Sequence, residues 1–249
     1  MTDLLAPITL SVVAACIVLI VAIAAVLHRG ARLARAGRRP AAQLAVGAGA
    51  AQAGWFVATA LIGASGLYAA EAGEIVPWIA VGLAVPLVLG TLALWWTPVT
   101  RALTHERIPA LLAAVQTVRI VGGVFLVLLV AGQLPAVFAL PAGIGDVLVG
   151  VAAPFVAVAL WRQPQRRALG IAFNALGLLD LIVAIGIGVA VAPGPLQLVV
   201  TEPSTALMGL LPLVLVPTFV VPLAIVLHVA SFRLLGAPRT AVVGAPAAA

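Results

Sequence analysis

The sequence has 249 residues, of which 64% are hydrophobic and only 8% charged, and its mean hydropathy is +1.28. Soluble domains carry roughly 25% charged residues, so this composition excludes an ordinary water-soluble domain and makes the lipid bilayer the main solvent. The net charge of +6 comes entirely from arginine. With no lysine, retinal or pyridoxal Schiff bases and a lysine-based phosphate loop are excluded.

A pI near 11.5 suggests nucleic acid, but the arginines lie beside apolar runs rather than along one soluble face, so no nucleic-acid partner is expected. Cys16 is a single cysteine inside an apolar run, which leaves neither a disulfide framework nor a thiolate metal site. No zinc, hydrolase or phosphate-binding motif is present. No cofactor or metal is expected, and no residue is assigned a catalytic role.

Seven stretches are long and apolar enough to cross a hydrocarbon core, which needs about 20 residues. They lie near 5–28, 45–70, 76–97, 109–133, 138–161, 168–192 and 207–232. The first follows Met1-Thr2-Asp3, which lacks the basic start of a secretory signal, so it is expected to remain as a span. Arg29, Arg32, Arg35, Arg38 and Arg39 come after it. Between the second and third spans Glu71 and Glu74 form an acidic turn, flanked by Tyr68 and Trp78. Trp95 and Trp96 close the third span, ahead of Arg101 and Arg107, with His105 and Glu106 in the same loop. These rings read as headgroup-level anchors.

The fourth span carries Gln116 and Arg119. The fifth carries Pro141-Ala142-Gly143-Ile144-Gly145-Asp146 and Gly150, and ends at Trp161 before Arg162, Arg166 and Arg167. Proline and glycine are poor helix formers, so this segment is read either as non-helical backbone beside a wet cavity or as small-residue packing of an intact helix. The sixth span holds Asn174 and Asp180, and Glu202 follows it. The seventh contains Pro212, Pro217 and Pro222, read as a kinked, hinging helix with carbonyls freed one turn earlier. His228 and then Arg233 and Arg239 close it. His28 and His228 sit near the same ends of their spans, without the spacing that would assign a haem.

Every loop arginine then falls on one side and every loop acid but Glu106 on the other. By the positive-inside rule the N-terminus is outside and the C-terminus cytoplasmic. The expectation is an all-α, polytopic integral membrane protein of a bacterial plasma membrane, with one seven-span domain over 1–239 and a disordered tail at 240–249.

A helix rises about 1.5 Å per residue. Arg119 therefore lies roughly 18 Å past Arg107, Asp180 roughly 20 Å past Arg167, and Asp146 roughly 22 Å before Trp161. All three reach one level near the midplane. A buried charge costs several kcal/mol unless paired or wetted. With both aspartates ionised, one arginine would leave a net −1. The reading is that Arg119 pairs with one acid while the other exchanges a proton along a water-filled path.

Gly143-Ile144-Gly145-Asp146 resembles the GxGD signature of intramembrane aspartyl proteases, and that resemblance implies Asp180 as a second catalytic acid. In that family the partner precedes the GxGD segment, whereas Asp180 follows it, and the Pro-Ala-Leu element is missing. The favoured function is a transporter for a small solute or ion, proton-coupled, with a site of Arg119, Asp146, Asp180, Gln116 and Asn174. A non-transporting sensor, assembly factor or complex subunit is the alternative.

Overall fold

The computed structural model describes residues 2–69, 77–194 and 196–236. Glu71, Glu74, Arg239 and the 240–249 tail lie outside the described residues. Among the described residues all regular structure is helical. Thr2–Leu33 (α1) and Arg38–Ala64 (α2) form a hairpin, followed by Pro77–Ala93 (α3) and the short Thr97–Ala102 (α4). Ile108–Val115 (α5) continues through a 3-10 segment, Gln116–Gly122, into Gly123–Val130 (α6) as one 23-residue rod. Ala136–Arg162 (α7) and Arg167–Val191 (α8) come next. A 3-10 turn at Ala206–Gly209 and a π-helical segment at Val216–Val220 lead into Val221–Gly236 (α9).

Among the described residues, six helical stretches are long and apolar enough to cross a membrane: those beginning at Leu4, Arg38, Ile108, Ala136, Arg167 and Val216. This differs from seven long spans. Where the sequence suggests 76–97, α3 has only 17 residues, about 26 Å of helix against a core of about 30 Å. It stops because Pro98 opens the first turn of α4, and Trp96 leaves the helical region to admit it. The second helix runs 38–64 rather than 45–70.

The seventh span also moves, from 207–232 to 216–236. Pro212 and its neighbours stay outside the long helix, and Pro217 lies inside the π segment. Pro222 sits in the first turn of α9, where its missing N–H leaves the Thr218 carbonyl free. The Trp55 indole N–H donates to that carbonyl at 2.9 Å.

Helix α7 is central and packs against α5, the 3-10 segment, α6 and α8, while α9 packs on α3, α5 and α8. Arginines meet tryptophans at one end of the bundle. Arg29 and Arg107 both lie over Trp161, at 5.2 and 4.9 Å from its ring centre. Arg233 lies over Trp95 and donates to the Leu94 carbonyl. Trp95 and Trp96 are exposed, as anchors would be. Tyr68 is not an anchor. It is buried, and its hydroxyl is 2.9 Å from Thr59 Oγ1, which donates to Thr218 Oγ1. A phenol beside two threonines finds partners inside the protein that the lipid surface cannot supply.

Candidate functional site

Arg119 projects from the 3-10 segment and is 1% exposed. Nε donates to Asp146 Oδ1 of α7 at 2.7 Å, Nη1 to the Gly177 carbonyl of α8 at 3.0 Å, and Nη2 to Asp180 Oδ2 of α8. Three helical segments thus converge on one guanidinium. Nε and Nη2 form one edge of the planar group, an edge that ordinarily grips a single carboxylate with both nitrogens. Here each acid takes one nitrogen, and every guanidinium nitrogen has an acceptor.

The approach depends on missing side chains. A Cβ on Gly122 would strike the Asp146 carboxyl, and one on Gly145 would overlap Asp180 Oδ1. Gly150 makes the same room beside the Ile120 backbone nitrogen. This decides how the Pro141–Gly150 stretch is built. It is α-helical throughout, Pro141 included, and Gly143 faces the Leu126 side chain. The non-helical alternative for this stretch is therefore set aside. The irregular backbone belongs to the opposing span, which tightens to a 3-10 helix where it carries Arg119. Close packing outweighs the glycine helix penalty, about 1 kcal/mol per residue.

A second polar layer lies nearer the arginine end. Gln116 is buried and donates to the Ala224 carbonyl at 3.1 Å. In a 3-10 helix residues three apart eclipse, so Gln116 stacks directly beneath Arg119. Asn174 Nδ2 donates to the Gly170 carbonyl at 2.7 Å and to Ser231 Oγ at 2.8 Å. Its Oδ1 lies 2.8 Å from His228 Nδ1. Because Gly170 offers only an acceptor, the amide orientation is fixed, and His228 must carry its proton on Nδ1. Nε2 and Gln116 Oε1 are left buried without a protein partner. The His228 ring packs against the bare Cα of Gly177, next to Arg119 Nη1.

His228, which the sequence places at the end of its span, and Ser231, to which the sequence gives no role, both belong to this layer. The signal was available. His228 is five residues before Arg233 and Asn174 seven past Arg167, roughly 8 and 10 Å inside the same end. The Gly177 carbonyl carried no such signal, because backbone acceptors are invisible in composition.

A cavity of about 340 Å³ lies between α3, α6, α7, α8 and the π segment. Asp146 forms part of its wall, and the lining extends to Pro193, Gly194 and Thr205 at the end opposite the arginines. Asp146 is its only charged lining residue among those described. Neither Arg119 nor Asp180 reaches the wall.

The chain matches the family described as Domain of unknown function (DUF8737) over residues 76–236, nearly two thirds of its length, and belongs to that family. The match spans α3 to α9 and holds every residue of the charged cluster. No curated protein and no solved structure matches the chain.

Proposed function

We propose that this chain is a seven-span, proton-coupled transporter of a small solute or ion in a bacterial plasma membrane. Its N-terminus is outside and its arginine end cytoplasmic. Seven crossings are supported by the course of the chain: α2 leaves the arginine end and α4 and α5 begin there again, so α3 must return between them. The orientation follows from the positive-inside rule.

One observation carries the transport reading. Two acids share a single cation, and one of those acids, Asp146, forms part of a cavity wall. Such a cluster can take one further positive charge, either a proton or a cationic solute, and exchange of the two at Asp146 would couple their movements. The buried His228–Asn174 layer lies on the cytoplasmic side of the cluster, where a proton path would run.

The test uses the purified chain in liposomes with an internal pH dye and panels of amines, amino acids, sugars and organic acids. A solute that collapses an imposed pH gradient through the native protein, and not through a folded Asp146→Asn variant, supports the reading. If Asp146→Asn and Asp180→Asn alter only the folded yield, transport is wrong. The non-transporting sensor, assembly-factor or subunit role is favoured instead, consistent with a protein acceptor for each nitrogen of Arg119. The GxGD-type protease reading has less support, because both acids are held by that guanidinium.

A further inference from the structure

We infer that the cavity at Asp146 binds a monovalent organic cation with an apolar body, an alkyl or arylalkyl ammonium whose charged head meets that carboxylate. This rests on the transport site proposed above and names its substrate class.

The charge seen from inside the cavity decides the class. Arg119 is 1% exposed and stands behind Asp146, away from the wall, whereas the Asp146 side chain is 13% exposed and on it. A ligand therefore meets the carboxylate and not the guanidinium. An anion would face like charge across a short distance in low dielectric, which costs several kcal/mol. With both acids ionised the cluster sums to −1, and one arriving ammonium brings it to zero.

The remaining walls select the body. Phe125, Phe138, Leu181, Ala184 and Val221 are apolar. A sugar would bury several hydroxyls against them without partners, at about 1–3 kcal/mol each. The Phe125 and Phe138 rings, 5.5 Å apart and tilted by 59°, suit an alkyl or aryl group. At the opposite end Thr205 is 4% exposed and lies on the wall, and its Oγ1 has no protein partner. The volume is at the small end of the roughly 300–1,000 Å³ typical of ligand sites, room for one compact amine.

The experiment titrates the full chain in nanodiscs by calorimetry with phenethylammonium, hexylammonium, neutral 2-phenylethanol and phenylacetate. The ammonium ions are expected to bind saturably, at least about tenfold tighter than the alcohol, and phenylacetate is expected not to bind. Asp146→Asn should weaken ammonium binding about tenfold or more and leave the alcohol little changed. Ala184→Phe fills the wall from a half-buried position without touching the charge, and should remove binding of both. Equal affinity for alcohol and ammonium, or ammonium binding that survives Ala184→Phe, overturns the inference. Should Asp146→Asn fail to fold, the native chain and Ala184→Phe still decide. Amine binding without solute-driven pH change would sink the transport reading alone. A pH response to sugars or acids, without amine binding, would sink this one alone.

Discussion

Arg119 directs its nitrogens to two carboxylates and a carbonyl, so removing it strands more than it removes. Arg119→Met leaves two half-buried acids without a cation, and breaking a pair in this way costs up to about 3–5 kcal/mol, the figure for a fully buried pair. Asp146→Asn keeps an oxygen for Nε and leaves one acid facing one base, so its cost is about 1 kcal/mol. Thermal unfolding in detergent, followed by tryptophan fluorescence, ranks the variants. If Arg119→Met melts no lower than Asp146→Asn, the shared guanidinium is not what holds the layer together. The triad was legible in the sequence because charges stand out in apolar runs and helical rise converts position into depth. The His228 layer was less visible, because a histidine five residues from a terminal arginine also fits a solvated end. Its geometry nevertheless makes a definite claim about one proton. In a His28→Gln, His105→Gln background, the nitrogen resonances of ¹⁵N-labelled His228 should show protonated Nδ1 and bare Nε2. The opposite tautomer would mean that the Asn174 amide is turned over.

At the scale of elements, fit between helices decides what propensity alone cannot. Glycine in a helix normally gains stability on replacement by alanine, up to about 1 kcal/mol. That sign should hold at Gly186 of α8, where an added Cβ meets nothing within 4 Å. At Gly145 it should reverse. The Cβ would land on Asp180 Oδ1, and overpacking of this kind costs about 1–3 kcal/mol. Gly145→Ala should therefore melt below the native chain and Gly186→Ala level with or above it. Equal shifts would refute the packing argument. Composition could show that residues 141–150 were poor in helix formers, yet not that the neighbouring span would supply the close contact that keeps them helical. The π segment allows a complementary experiment. Trp55→Phe removes the donor to the Thr218 carbonyl, at about 1–3 kcal/mol for an unpaired buried acceptor. Pro222→Ala returns the N–H four residues on. The double variant should recover most of what Trp55→Phe loses. Additive losses would show that the indole is packing rather than bonding.

For the whole molecule, the question is how many times the chain crosses. The arginine asymmetry in the sequence predicts an odd number, because the positive-inside rule assigns the two ends of the chain to opposite sides. The shortness of α3 could not be read there, since its apolar run continues through Trp95 and Trp96 and only Pro98 restarts the helix. Helices that fall short of the core are accommodated by local thinning and by flanking aromatic anchors. Trp78 and Trp95, 48% and 60% exposed, stand at the two ends of α3. Site-directed labelling settles the crossing. Cys16 is the sole cysteine and is buried, so a Cys16→Ala background gives a silent start. Ser65→Cys, just past α2, and Leu198→Cys, in the loop after α8, should react with a membrane-impermeant maleimide on intact cells. Thr104→Cys, exposed between α4 and α5, should react only after lysis. If Ser65→Cys and Thr104→Cys label from the same side, α3 does not cross. The arginines at the end of α1 and those after α3 could then no longer share one face. The contact of Arg29 and Arg107 with Trp161, and with it the common depth of the charged cluster, would have to be given up.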